Sequence, residues 1–175
     1  MPIQTSWGSI LDDLAAKRDL AREQSSWALS EIMKGEAPEI EVSKFLLALR
    51  DKGETVDELA GLVDTMLQNS LKLESGNNAV DIVGTGGDMI GTVNISTMAS
   101  ILTAAAGVPV LKHGSKSASG KTGSSEMLQE LGVNLELAPE RVAQVFKEVG
   151  ISFFFALVFH PAMRHVAPVS YTHLR

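Results

Sequence analysis

Ala79-Val80-Asp81-Ile82-Val83-Gly84-Thr85-Gly86-Gly87-Asp88 is a short apolar stretch that runs straight into a glycine-rich turn. Residues 79–83 read as a β-strand. Beyond the turn the chain repeats a strand–helix alternation. Thr92-Val93-Asn94-Ile95-Ser96-Thr97 opens a helical pattern over about 94–106 that closes at Gly107. Residues 108–111 read as a second strand, followed by a long Ser/Gly/Lys loop and a helix near 125–131. A strand at 133–137, a helix at 139–149 and a strand at 151–155 complete the series. This alternation predicts βαβ units and a parallel sheet. Ligands of such sheets sit beyond the carboxyl ends of the strands, where both glycine-rich loops fall.

Upstream the pattern is different. From Ser6 to about Leu73, apolar residues recur at three- and four-residue spacings, as in Ile10, Leu11, Leu14 and again in Trp27, Ala28, Ile32. Gly35 and Pro38 end one helix, and Gly53 ends another that spans about 40–50. Thr55-Val56-Asp57-Glu58 has the form of a capping box. The polar cluster Glu74-Ser75-Gly76-Asn77-Asn78 marks the boundary. The expected fold is α/β: a small all-helical domain over 1–76, then a partial parallel-sheet α/β domain over 77–175.

Composition narrows the function. The 175 residues are 45% hydrophobic and 21% charged, the balance of a globular chain. A net charge of -6 provides no general field for nucleic acid, so a polyanionic ligand must be held locally. The absence of cysteine excludes disulfides, thiolate metal sites and cysteine nucleophiles. The first residues lack the basic and apolar regions of a signal peptide, and no apolar run reaches the roughly 20 residues of a membrane helix. A cytoplasmic location is expected.

The first glycine loop lets backbone N–H groups approach an anion. A dinucleotide fingerprint fits badly, because its third glycine would fall at Met89. Asn94, Ser96 and Thr97 place donors at the positive end of a helix, where a phosphate or a plain N-cap can use them. The second loop, from Lys112 to Ser125, holds three lysines, one histidine and five serines, with no acid before Glu126. It reads as a local cationic, donor-rich patch. Gly120-Lys121-Thr122 has part of a P-loop, but the glycine required five residues earlier is Ser115. His113 has the chemistry of an acid or base, although a lone loop histidine more often only hydrogen-bonds.

In this order and spacing, Asp81 to Asp88, Thr92 to Thr97 and Lys112-His113-Gly114 with the serines after them resemble the anthranilate phosphoribosyltransferase family. Ile32-Met33-Lys34-Gly35-Glu36-Ala37 and Leu49-Arg50-Asp51-Lys52-Gly53-Glu54-Thr55 resemble its helical domain. The resemblance covers about 6–169. It implies transfer of phosphoribosyl from phosphoribosyl pyrophosphate to anthranilate in tryptophan biosynthesis. The donor would be bound with Mg2+ between the two domains, and a homodimer would form through the helical one. Donor-binding positions would be Gly84, Gly87, Asp88, Thr92, Asn94, Ile95, Ser96 and Thr97. They continue through Lys112, His113, Gly114, Ser115, Lys116, Ser117, Ala118, Ser119 and Gly120, with Ser124. Ser96 matches a magnesium ligand, while Gly84, His113 and Ser115 match positions on the anthranilate side. No membrane or nucleic-acid partner is implied.

Departures accompany the likeness. Ser115-Lys116 stands where the family has Asn-Arg, which removes an amide and the bidentate fork of arginine. Ser170 stands at an arginine position, and 170–175 do not resemble the family. The resemblance also implies further α/β chain, carrying an Asp-Glu pair for a second magnesium. The sequence therefore reads as a truncated frame, with apolar faces exposed most around 151–159. Other readings are a pyrimidine nucleoside phosphorylase-like enzyme, which would need phosphate, and a non-catalytic dimerising or nucleic-acid-binding relative. The 175-residue chain alone is expected to be inactive, and detectable turnover by the pure polypeptide would contradict that.

Overall fold

The computed structural model describes residues 5–76, 78–84, 93–115 and 123–166. Two compact units divide them: residues 5–70 with 161–166, and residues 71–160.

The first unit is built from α1 (Trp7–Ala15), α2 (Arg22–Lys34), α3 (Glu39–Lys52) and α4 (Val56–Gln68). Each boundary has a local cause. Ser6 caps α1 and Thr55 caps α4 by accepting from N–H groups three residues on, which satisfies donors no helical turn can reach. Gly35 ends α2 in the left-handed conformation, at φ 77°. The apolar faces meet in a core of Ile10, Leu14, Leu20, Ala28, Ile32, Val42, Phe45 and Leu49. Trp7 packs its ring 5.5 Å from Trp27 and 5.9 Å from Phe45. A 3-10 turn, Pro161–His165, leads Val166 into the same core.

Helices α2 and α4 cross closely because small residues line the crossing. A Cβ on Gly61 would overlap the Arg22 carbonyl oxygen and Ser25 Oγ. One turn further on, the Ser26 and Thr65 hydroxyls lie 2.7 Å apart.

A fully buried carboxylate ties this unit together. Glu58 Oε1 accepts from the Leu20 N–H at 2.8 Å, and Oε2 accepts from the Thr55 N–H at 2.8 Å and from Lys52 Nζ at 2.9 Å. Asp19 also accepts from Lys52, at 2.9 Å. Burial pushes the Glu58 carboxyl upward, but the bonds from Leu20, Thr55 and Lys52 outweigh it and leave the group below its ordinary value. Burial likewise pulls the Lys52 ammonium down, and its bonds to Asp19 and Glu58 carry it above the ordinary value.

The second unit holds α5 (Ile95–Ala105), β1 (Val110–Gly114), α6 (Ser124–Glu130), α7 (Pro139–Val149), β2 (Ile151–Phe155) and α8 (Ala156–Phe159). β1 and β2 pair in parallel, from Val110 opposite Ile151 to Gly114 opposite Phe155. Pro139 starts α7, and Gly150, at φ 81°, ends it directly before β2. Leu128, Leu135 and Phe155 form the core on this side.

Three expected strands differ from what forms. The stretch 79–83 makes a single parallel bridge, Val80 to Val110, because the side chains of Asp81 and Lys112 take the bonds of the next rung. The second strand lies at Val110–Gly114 instead of 108–111, because all five of its residues pair with β2. Residues 133–137 form no strand. Asn134 Oδ1 takes the Glu136 N–H at 3.0 Å in an Asx turn, and Leu135 enters the core without a ladder. Apolar exposure is less concentrated at 151–159 than expected, since Phe155 and Phe159 are buried. It is greater along α5, where Ile95, Met98, Ile101 and Leu102 all face outward. An apolar depression of about 320 Å³ lies between Ile101, Leu128, Val149 and Phe153.

Replacing Glu58 with alanine strands the buried Lys52 ammonium and two backbone donors, so a loss of about 3–5 kcal/mol is expected. Trp7 and Trp27 are the chain's two tryptophans and both report on this core, so urea unfolding followed by their fluorescence measures it. In the parent protein the Glu58 contribution is complete above the ordinary value of 4.5 and fades as pH falls through the lower folded value. The alanine variant should lack that acid limb.

Candidate functional site

The backbone ladder between Val80 and β1 stops after one bridge, at Val110, the first residue of the strand. The Val80 N–H donates to the Pro109 carbonyl at 2.9 Å, and the Leu111 N–H donates to the Val80 carbonyl at 3.0 Å. A continued parallel ladder would include a bond from the His113 N–H to the Ile82 carbonyl. Side chains replace it. The His113 N–H donates to Asp81 Oδ1 at 3.0 Å, and the Ile82 carbonyl accepts from Lys112 Nζ at 3.0 Å. Lys112 Nζ also donates to the His113 carbonyl at 2.9 Å. Backbone pairing between the two segments ends here, and Gly84 comes next but one after Ile82. Among the described residues nothing stands within 4 Å of where a Cβ on Gly84 would sit.

Sequence reasoning places Lys112 in a cationic loop. In the structure it lies in β1, only 2% exposed, with its ammonium directed at two carbonyls. Burial lowers its pKa, and the nearby Asp81 charge partly opposes that. His113, by contrast, is exposed. Its Nδ1 lies 2.8 Å from Asp81 Oδ2, and its ring stacks on Phe154 at 4.8 Å between centroids. His160 stacks beyond it at 6.3 Å, and His160 Nδ1 is buried with no partner among the described residues. Burial lowers the His160 pKa, helped by the charges of His113 and Lys72.

The other expected donors occupy two helix starts. Asn94 caps α5 by accepting from the Thr97 N–H at 3.1 Å, and the Ser96 hydroxyl donates to the same oxygen at 3.4 Å. Ile95 is exposed, while Thr97 is buried and its Oγ1 has no partner among the described residues. Gly114 packs against α6 so closely that a Cβ there would stand 2.7 Å from Ser124 Oγ. That hydroxyl donates to the Ser115 carbonyl at 3.4 Å. Gly87, Asp88, Thr92, Lys116, Ser117, Ala118, Ser119 and Gly120 lie outside the described residues. So does the Gly120-Lys121-Thr122 segment.

Among the described residues no cluster of three His, Asp or Glu side chains could hold a metal. The oxygens of Ser96 and Asn94 are hard ligands of the type magnesium takes alongside phosphate oxygens. These residues fit the ion as part of a bound phosphorylated ligand. They do not form a cage of their own.

Comparison with known proteins gives this arrangement a context. Residues 8–70 match the model for the glycosyl transferase family, helical bundle domain, and residues 76–172 match the one for the glycosyl transferase family, a/b domain. The chain belongs to this glycosyl transferase family. Anthranilate phosphoribosyltransferases of Saccharopolyspora erythraea and Leifsonia xyli are similar, at 54% identity over 93% of the chain and 51% over 94%. The chain spans 46% and 47% of those relatives, about half their length. Among solved structures, anthranilate phosphoribosyltransferase from Thermus thermophilus matches with a TM-score of 0.83 at 41% identity, over 91% of this chain and 49% of its own. The Saccharomyces cerevisiae enzyme in complex with PRPP and Mg also has a TM-score of 0.83, at 26% identity, over 93% of this chain and 50% of its own.

Motif reading alone passes over Asp81, Phe154 and His160. An acid in the middle of an otherwise apolar stretch, three residues before a glycine loop, is the available signal for Asp81. Phe154 and His160 lie in an apolar run with no such mark.

Lys112→Met is expected to free the Ile82 carbonyl and remove the pH dependence that the buried ammonium causes. Its folded pKa is depressed, so the parent α/β unit should gain stability as pH rises from neutral toward 10.5. Val110 and Ile151 methyl signals, followed by NMR through denaturant at several pH values, should show that gain in the parent and not in the variant.

Proposed function

We propose that this chain forms the donor-binding half of an anthranilate phosphoribosyltransferase, which joins phosphoribosyl pyrophosphate to anthranilate. One observation carries the reading. The parallel pairing of residue 80 with β1 gives way to side-chain bonds from Asp81 and Lys112, and Gly84 follows two residues after Ile82. The identity of about half to named relatives supports the choice of transferase over a nucleoside phosphorylase. The net charge of -6 disfavours the nucleic-acid-binding reading.

In this proposal the pyrophosphate of the donor meets the N-terminus of α5. There the Ser96 hydroxyl and the Thr97 hydroxyl are donors, and the helix dipole favours negative charge. Ser96 would hold Mg2+ together with phosphate oxygens. The ion, when bound, supplies charge neutralisation for the departing pyrophosphate. Lys112 acts through backbone, keeping the Ile82 and His113 carbonyls turned away from the anion. In the transfer, the bond from C1 to the pyrophosphate oxygen breaks, and the electron pair leaves with pyrophosphate. The anthranilate nitrogen bonds to C1 and releases one proton. An aromatic amine is already a nucleophile, so fixed orientation contributes more than a strong base. Gly84, His113 and Ser115 would face the anthranilate. Gly87, Asp88, Thr92 and the stretch from Lys116 to Gly120 would complete the donor contacts. A cytoplasmic homodimer through the helical domain belongs to the same proposal.

Calorimetric titration of the chain with phosphoribosyl pyrophosphate and magnesium should give saturable binding. Ser96→Ala should weaken it by about 10- to 100-fold, the worth of one hydrogen bond to a charged group. A folded chain with no binding would contradict the proposal.

A further inference from the structure

Asp81 grips one residue at two points. Its Oδ1 takes the His113 backbone N–H, while Oδ2 lies against the Nδ1 of the same residue. A carboxylate only accepts hydrogen bonds, so Nδ1 must carry a proton. Phe154 holds one face of the ring, at an interplanar angle of 19°. Among the described residues nothing bonds Nε2, and the side chain is about half exposed. Free neutral imidazole can place its proton on either nitrogen. Here the pairing with Asp81 leaves one arrangement: Nδ1–H bound and Nε2 a bare acceptor.

We infer that Asp81 is a positioning residue, which sets the tautomer of His113 so that Nε2 recognises a hydrogen-bond donor on the ligand. Resting on the proposed function, that donor is the N–H of an aromatic amine. The carboxylate of such a substrate would be repelled by a bare nitrogen lone pair. The tautomer therefore decides which edge of the substrate turns toward the ring.

Asp81→Asn tests this with almost no change of shape. The His113 backbone N–H can only donate, so the new side chain must turn its carbonyl oxygen to it. The NH2 then faces Nδ1, which must accept, and the proton moves to Nε2. Both hydrogen bonds survive, and the outward-facing nitrogen changes from acceptor to donor. Long-range 1H–15N spectra of 15N-histidine-labelled chain, recorded at about pH 8.5 so that ordinary imidazole is neutral, read the tautomer directly. The expected result is Nδ1–H in the parent protein and Nε2–H in D81N, with the other amide signals unchanged. A parent protein dominated by Nε2–H, or the same tautomer in both proteins, would overturn the assignment.

Anthranilate is the ligand probe. It should shift the Nε2 resonance of the parent protein, and D81N should bind it at least about 10-fold more weakly. Equal or tighter binding by D81N, or no anthranilate-dependent shift of His113 in the parent, would overturn the recognition step. Titration of both proteins with phosphoribosyl pyrophosphate and magnesium separates the two claims. Retained donor binding with an unaltered tautomer rejects the Asp81 role alone. Absent donor binding beside the expected tautomers rejects the functional reading alone.

Discussion

Between Ile82 and His113 one rung of backbone pairing is missing, and two charged side chains stand in its place. Asp81 satisfies the donor that the rung would have used, and Lys112 satisfies the acceptor. A hydrogen bond contributes about 0.5–1.5 kcal/mol, so the two side chains recover much of what the missing rung would have given. At this rung His113 faces outward while Lys112 stays buried, as successive residues of a strand do. The burial of a lysine is tolerable because the ammonium has two carbonyls and a nearby carboxylate. Much of the candidate site depends on that exchange.

The helical unit uses the same physics for a purely structural end. Glu58 is as buried as Lys112 and likewise serves backbone groups, here the N–H groups of Leu20 and Thr55. The paired Lys52 neutralises it. One carboxylate thereby fixes the start of α4 to the chain entering α2, next to a crossing that only Gly61 makes close enough. In both units a buried charged side chain completes backbone hydrogen bonds that the main chain leaves open.

Much of this is legible in the residues. The capping box at Thr55-Glu58, the stop at Gly35 and the α7–Gly150–β2 sequence depend on neighbours within a turn, so local pattern reveals them. The α/β class and the parallel direction emerge from alternation. What the pattern misses is decided at longer range. Residues 79–83 have strand composition, yet their ladder ends because of side chains some thirty positions away. Residues 133–137 have the apolar content of a strand, but Asn134 offers the backbone a turn. Lys112 looks like part of a solvated loop because serines and lysines come after it, and only its pairing opposite Phe153 draws it into the sheet. For the site, the motif residues are visible. The partnership of Asp81 with His113 is not, because no spacing rule connects positions 32 residues apart.

The proposed function requires the end of the parallel pairing and the start of α5 to act together as an anion site. Backbone amide NMR of the 15N-labelled chain, titrated with phosphoribosyl pyrophosphate and magnesium, tests it residue by residue. The account predicts saturable shifts concentrated at Gly84, Ser96, Thr97, His113 and Gly114, with the amides of α1 to α3 unmoved. Saturable shifts that spare those five residues, or none in a chain with dispersed native signals, would contradict it.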